Sequence, residues 1–508
     1  MAKKSLAKNY VYNLIYEILI LVLPLITTPY LSRVLGAEGI GIYTYTYSIV
    51  TYFILFGSLG VAMYGQREIA YAQDNPDARK KIFFEIVIFR FVTIFISTLC
   101  YALFFMRKGA YSLYYRILIF ELIGAAFDIS WFFQGIEEFK RTVTRNVLVR
   151  LCSVILVFVF VKTKEDLAKF TLIYSIADCL GNISLWFYLP KYLKGGKVKN
   201  INAFKHLPQI VLLFIPQIAN QIYKILDTTM IGKLVSDKSE TGFYEQGQKV
   251  IRLLLTIVTS LGVVMIPRMA NTFASGDKKK IKEYLNLSFN FVFFLGFPLT
   301  FGIISVAKAF VPTFFGAGYD KVVILIYIIS PIILLMGIAN VIGTQYLLPT
   351  KRQKEYTISV TIGVIVNFVL NYILITLYQS VGACAATVLS QLVVDFVQFI
   401  HVKDDLDIKH ILNLAGRYFM ASFAMFGVCF IVKIILNINP ITSAISSLSS
   451  NIGRSDEFIF NVISIAMQVL FGAIAYFAIL IWRKDDYVYK FINRIKEKLF
   501  KNKKAEEV

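Results

Sequence analysis

The chain has 508 residues, of which 57% are hydrophobic, 15% aromatic and only 17% charged, with a mean hydropathy of +0.65. That balance excludes an ordinary soluble domain and marks an integral membrane protein. The 53 Lys and Arg against 32 Asp and Glu give a formal charge of +21, which in a soluble chain would suggest nucleic acid but in a membrane chain depends on where the bases fall.

Fourteen apolar segments long enough to cross a bilayer follow in chain order, at about 9–34, 40–66, 81–106, 112–134, 143–161, 167–189, 207–234, 242–267, 283–306, 319–347, 356–378, 382–401, 411–436 and 458–482. Helices are required, because each backbone N–H and C=O in hydrocarbon must be satisfied within its own segment. A barrel would show short alternating strands instead. The first segment, after MAKKSLAKNY, contains Pro24 and Pro29; it is too long for a signal-peptide core and is expected to stay as helix 1. With the N-terminus inside, Lys and Arg in the loops on that side outnumber those outside several-fold, and shifting the topology by one helix would invert the ratio. KYLKGGKVKN, GDKKKIK and KRQK are therefore read as topology determinants facing anionic lipid, with both termini cytoplasmic and no nucleic acid as partner.

The two halves of the chain repeat. GSLGVAM at 57–63 recurs as TSLGVVM at 259–265, GIY at 41–43 as GFY at 242–244, and DARKKI as DKKKI, all offset by about 200 residues. Six helices separate the copies, an even number of crossings, so the repeats are parallel and related by an axis along the membrane normal. The expected organisation is an all-α membrane protein with two six-helix lobes around a central cavity plus two C-terminal helices. Its parts are an N-terminal lobe (1–190), a cytoplasmic linker (191–206), a C-terminal lobe (207–402), helices 13 and 14 (403–482) and a basic cytoplasmic tail (483–508). In that tail Phe491, Ile492, Ile495 and Leu499 share one helical face; an in-plane helix on the inner leaflet and a frayed basic end both fit.

Ionisable groups inside spans cost about 2.5–3.5 kcal/mol on insertion scales, so they face a partner or a wet cavity. In helix 7, Gln217, Asn220 or Gln221, Lys224, and Asp227 or Thr228 make a polar stripe at three- and four-residue steps. Helix 8 carries a matching one: Glu245, Gln248 or Lys249, Arg252, Thr256 and Thr259. Lys224 and Asp227 could neutralise each other locally, but that leaves Arg90, Arg150 and Glu17, each about 12 Å into its helix, without explanation. A shared aqueous cavity accounts for all of them. Among central positions Arg90, Arg150, Lys224, Lys249 and Arg252 stand against Glu17, Glu121, Asp178 and Asp227, with Arg150 and Asp178 the pair expected to meet. The unpaired bases would present an anion site, since guanidinium matches phosphate oxygens two at a time. In helix 2, Tyr43 and Tyr47 share a face suited to a sugar, or belong to an interfacial aromatic belt.

Nothing points to an enzyme. His206, His401 and His410 lack metal-ligand spacing, the five cysteines share no C-x-x-C pattern, no nucleophile elbow or phosphate-binding glycine loop occurs, and GAEGIG at 36–41 is read as a turn. No cofactor is expected.

PYLSRVLGAEGIGIYTYTYSIV, LDTTMIGKLVSDKSETGFYEQGQKVI and FFGAGYDKV resemble the Wzx-type flippases of the polysaccharide transporter family, within the multidrug/oligosaccharidyl-lipid/polysaccharide exporter superfamily, and the likeness covers essentially the whole chain. It implies fourteen helices in two lobes and the translocation of an undecaprenyl-diphosphate-linked oligosaccharide from inner to outer leaflet of a bacterial cell membrane, for capsule or exopolysaccharide. It implies partners among glycosyltransferases and a polysaccharide polymerase as well. On that basis the diphosphate is expected on Arg90, Arg150, Lys249 and Arg252 with Lys224 assisting, sugar on Tyr43 and Tyr47, and coupling to H⁺ or Na⁺ through Asp178, Asp227 or Glu17. Arg33 and Lys233, equivalent under the repeat, match basic positions of the family, although at helix ends they could equally snorkel. A cation-coupled multidrug antiporter is the alternative function, with a membrane polymerase or transferase on the same lipid carrier a third.

Overall fold

The computed structural model describes residues 6–107, 109–193, 200–438, 442, 455–485, 487 and 489, and side chains within these except at 6–21, 215–217, 219, 220, 223 and 224. Among the described residues all regular structure is helical. Eleven stretches among the described residues are long and apolar enough to cross a membrane. Two are broken into paired rods: α1 (Leu6–Ser58) at Gly36, with φ 69°, and α15 (Gln353–Val402) at Gln379, with φ 56°. These breaks fall in the expected gaps at 35–39 and 379–381. The helix α9 (Leu207–Leu234), 28 residues long, stands where the seventh span is expected.

The expected spans otherwise coincide with α3 (Pro76–Phe105), α7 (Phe139–Phe160), α8 (Leu167–Ser184), α10 (Ser239–Thr259), α12 (Lys278–Phe315), α16 (Ile408–Leu436) and α17 (Asp456–Trp482). The fourth is subdivided into α4 (Ser112–Ile117), α5 (Ile119–Phe127) and α6 (Ser130–Gly135), and the tenth into α13 (Asp320–Ile329), α14 (Ile332–Ala339) and a π-helical stretch, Asn340–Leu347. Large apolar side chains stay outside, Phe104 and Val263 at 75% exposure and Phe187 at 82%. Water would penalise this surface; lipid does not.

The repeated sequence motifs fall at equivalent helix breaks. In the first copy α1 ends at Ser58 and α2 (Val61–Tyr71) begins after Gly60, which has φ 74°. In the second, α10 ends at Thr259 and α11 (Leu261–Ala274) begins after Ser260.

The chain divides into two compact units. The first comprises Met1–Glu245 with Asn371–Ala383, and its aromatic core gathers Phe83, Phe89, Trp131, Phe132 and Phe133. The described part of the expected linker is tied to this unit. Glu85, fully buried, accepts from the Asn202 N–H at 3.1 Å and sits 2.6 Å from Lys205 Nζ and 3.1 Å from His206 Nε2, whose Nδ1 is 2.7 Å from the Tyr64 hydroxyl. The second unit comprises Gln246–Leu370 with Cys384–Val508. Here α12, α16 and α17 pack together; a Cβ at Gly472 would meet Cys429 Sγ at 2.8 Å, so the glycine sets how closely α17 approaches α16. Arg417 pairs with buried Asp485 at 2.8 Å, and the Tyr418 hydroxyl donates to Asn290 Oδ1 at 2.7 Å.

All five cysteines are free, and Cys179, Cys384 and Cys429 are buried. Within the KRQK loop Arg352 reaches Asp405 at 2.7 Å and Glu355 at 3.1 Å, so this base has protein partners as well as any lipid. The amphipathic pattern at 491–499 lies outside the described residues.

Candidate substrate cavity

A cavity of about 300 Å³ opens inside the first unit, and each wall is the polar face of an otherwise apolar rod. From α3 comes Arg90; from α5 and the bend after it Glu121, Ala125 and Asp128; from α7 Arg145, Asn146, Val149 and Arg150; from α8 Asp178 and Asn182; from α1 Tyr47 and Ile54. The spacings are helical: 121, 125 and 128; 146 and 150; 178 and 182; 47 and 54 each recur at three, four or seven residues. The helices can approach because small residues sit at their crossings. A Cβ on Gly124 would meet Cys179 Cα at 2.9 Å, which brings the faces bearing Glu121 and Asp178 together.

Arg90 is the most enclosed base, 4% exposed. Its Nε donates to the Ala125 carbonyl at 2.7 Å, and its Nη2 lies 3.5 Å from Asp128 Oδ2, a long contact for a charged pair. Its Nη1 is buried with no hydrogen-bond partner among the described residues. Burying a guanidinium donor that way is costly. Asp128 is held in place by the Ser130 N–H, which donates to its Oδ1 at 2.9 Å. Arg150, exposed, and Asp178, half-buried, line the same space. With all groups ionised, Arg90, Arg145 and Arg150 face Glu121, Asp128 and Asp178, three against three.

The structure thus gathers Arg90, Arg150, Asp178 and Tyr47 from the expected site. Tyr43 stands one turn away, stacked on Tyr47 with centroids 5.6 Å apart and edge-on to Phe170 at 4.8 Å. Asp227 is elsewhere in the first unit, 5% exposed; its Oδ1 accepts from Asn371 Nδ2 at 2.6 Å and its Oδ2 from the Tyr244 hydroxyl. Arg33 is exposed, with Nη1 donating to the Pro29 carbonyl at 3.1 Å. Lys249 is half-buried and Arg252 exposed on α10, the latter donating through Nε to the Gln248 carbonyl at 3.3 Å. The side chains of Glu17 and Lys224 lie outside the described residues. Asp128, Arg145, Asn146 and Asn182 were not expected. The two asparagines could have been found as i,i+4 neighbours of Arg150 and Asp178; Asp128 sits at the bend that ends α5, and Arg145 is near a span end, where a charge looks ordinary.

An all-helical membrane protein with opposed charges walled into apolar helices falls in the class of multi-pass transporters. The sequence model of the family described as "Polysaccharide biosynthesis protein" matches residues 6–273, and a second, "MatE", matches 213–373. The chain belongs to the polysaccharide biosynthesis protein family. A protein of Escherichia coli (strain K12) named "Putative O-antigen transporter" is 26% identical over 408 residues, 79% of this chain and 98% of its own. The fold is shared with a solved structure of lipid II flippase MurJ in an inward closed conformation, at TM-score 0.68 and 17% identity over 94% of this chain and 99% of that one. An inward-facing multidrug resistance MATE transporter follows at TM-score 0.56 and 12% identity over 74% and 94%.

Proposed function

We propose that the chain is a flippase that carries an undecaprenyl-diphosphate-linked oligosaccharide from the inner to the outer leaflet of a bacterial cell membrane, by alternating access of two six-helix lobes made from its two repeats. Both termini are cytoplasmic in this reading. The carrying observation is the convergence of Arg90, Arg145 and Arg150 on one cavity. Family membership supports the substrate class, as does the name of the E. coli relative.

The diphosphate sits against Arg90 and Arg150, with Lys224, Lys249, Arg252 and Arg33 meeting it along the path and Tyr43 and Tyr47 against sugar. Because three acids balance the three arginines, a doubly negative headgroup enters only as one or more of them takes up a cation. Asp178 is the acid proposed to do so, with Asp227 and Glu17 as further coupling groups and H⁺ or Na⁺ as the ion. Outward movement of headgroup charge gains about 2.3 kcal/mol per charge per 100 mV of inside-negative potential. Glycosyltransferases supply the substrate and a polymerase consumes it.

The matching number of acids, together with the MatE match over 213–373, also favours a second reading, a cation-coupled multidrug antiporter. Reconstitution separates the two. A flippase exposes lipid-linked oligosaccharide on the far leaflet, and Arg150→Ala or Arg252→Ala abolishes this without loss of inserted protein. An antiporter moves a cationic drug, with Asp178→Asn the damaging change and both arginine variants near wild type.

A further inference from the structure

A second, larger concavity of about 680 Å³ lies between α7 and α8 and faces away from the core of the first unit, with Leu148, Phe160 and Leu180 on its edges 53–59% exposed. One end is basic: Lys140, Arg141 and Arg145 line it, the Arg141 guanidinium lies 4.6 Å from the centroid of the Tyr188 ring, and no Asp or Glu is among its described lining residues. The remainder is mostly apolar, with Leu148, Leu156, Leu172, Ile173, Ile176 and Leu180 along it. Its floor exists because α8 has a glycine where α7 comes nearest; a Cβ on Gly181 would meet Val149 Cγ2 at 2.6 Å. Arg145 and Val149 line both this groove and the charged cavity, so the basic end of one adjoins the wall of the other.

The length of the groove identifies its occupant. From Lys140 to Phe160 the helix rises about 30 Å, the thickness of the whole hydrocarbon layer. The acyl chain of a glycerophospholipid anchored at the basic end would stop near the midplane, roughly 15 Å along. We propose that the α7/α8 groove is a binding site for one polyprenyl phosphate lipid, with its phosphate on Lys140, Arg141 and Arg145 and its chain laid along α7 toward Phe160. The proposal rests on the flippase reading in one respect: it makes Arg145 the point where the headgroup of the transported lipid passes from groove to cavity while the tail stays in the groove.

Native mass spectrometry of the purified full chain, with undecaprenyl phosphate, farnesyl phosphate and phosphatidylglycerol as probes, tests it. The wild type is expected to retain a single undecaprenyl phosphate at least about tenfold more tightly than either other lipid. Ile173→Trp, which fills the far part of the groove, removes the preference for the long chain over farnesyl phosphate. Lys140→Gln with Arg141→Gln weakens both phosphates and leaves their ratio unchanged. Leu156→Trp, on the opposite wall, provides a second filling variant should Ile173→Trp fail to give folded protein. Equal retention of all three lipids by the wild type, or an unchanged long-chain preference in the filling variants, overturns the site. Because the probes carry no sugar, the outcome is separable from transport. Retention by the groove with no translocation of lipid-linked oligosaccharide sustains this site and sinks the flippase reading, and translocation with no groove preference does the reverse.

Discussion

Gly41 and Gly242, equivalent positions of the GIY and GFY repeats, are locked against each other's flanking backbone. A Cβ on Gly41 would fall on the carbonyl of Lys238, and a Cβ on Gly242 on the carbonyl of Ala37. Ala37 and Lys238 are themselves related by the repeat offset, so the contact is reciprocal, as a local two-fold between parallel copies requires. Both glycines are needed for close approach. Gly41→Ala or Gly242→Ala is expected to cost about 1–3 kcal/mol, measured as a lowered thermal midpoint of the purified protein. Gly416→Ala, where nothing lies within 4 Å of an added Cβ, is the silent control.

Asp485 anchors the end of the second unit's helical bundle. It is fully buried, 2.8 Å from Arg417 Nη1, and both its oxygens lie 3.3 Å from the Tyr418 hydroxyl. Asp485→Ala removes the carboxylate that pairs with the partly exposed Arg417 guanidinium and leaves the Tyr418 hydroxyl with its bond to Asn290. The expected loss is about 2 kcal/mol, discounted because water can reach Arg417. A chemical-denaturation midpoint within error of wild type would contradict this.

Acid should loosen the turn between α7 and α8. Asp166 Oδ2 accepts the N–H groups of Lys162 at 2.9 Å and Thr163 at 3.0 Å, and Oδ1 lies 2.6 Å from Lys169 Nζ. The Lys169 ammonium, followed by the two N–H groups, holds this carboxyl well below its ordinary value of 3.8. A depressed carboxyl contributes stability that is fully present above the unfolded value and lost as pH falls through the folded one. Thermal midpoints should therefore fall in the acid range below about pH 4. Asp166→Asn should lower the neutral plateau and flatten that acid limb.

The exposed Arg150, unlike the buried Arg90, should separate folding from transport. Arg90→Ala removes the donor to the Ala125 carbonyl and leaves Asp128 without its base, so reduced yield and a lowered midpoint are expected together with lost translocation. Arg150, exposed in the same cavity, should lose translocation on substitution by Ala with its unfolding free energy within about 0.5 kcal/mol of wild type. Equal destabilisation of the two would argue that Arg150 is structural.

The helices were legible because a run of apolar residues long enough for the bilayer has one outcome, whatever it packs against. The breaks at Gly36 and Gln379 could be read from short polar or glycine-rich gaps. The break at Leu59–Gly60 could not, since it lies inside an unbroken apolar span, although its repeat partner near Ser260 marks the place. Hydropathy is also blind to the π-helical turn at 340–347, where Gln345 is buried between Ser288 and Asn340. Within the cavity, residues deep in spans announced themselves by the cost of burying charge: Arg90, Arg150, Asp178 and Glu121. Asp128 escaped because its role depends on a bend, and Arg145 because a base near a helix end needs no special explanation.

The direct test of the cavity is photocrosslinking. With a benzoylphenylalanine in place of Asn146, on the cavity wall, and another in place of Val263, 75% exposed on α11, the full chain in native membranes is illuminated beside radiolabelled lipid-linked oligosaccharide. The account predicts label on the protein from position 146, competed by unlabelled substrate, and none that is competed from 263. Label from 263 alone, or label at 146 that excess substrate leaves untouched, would contradict it.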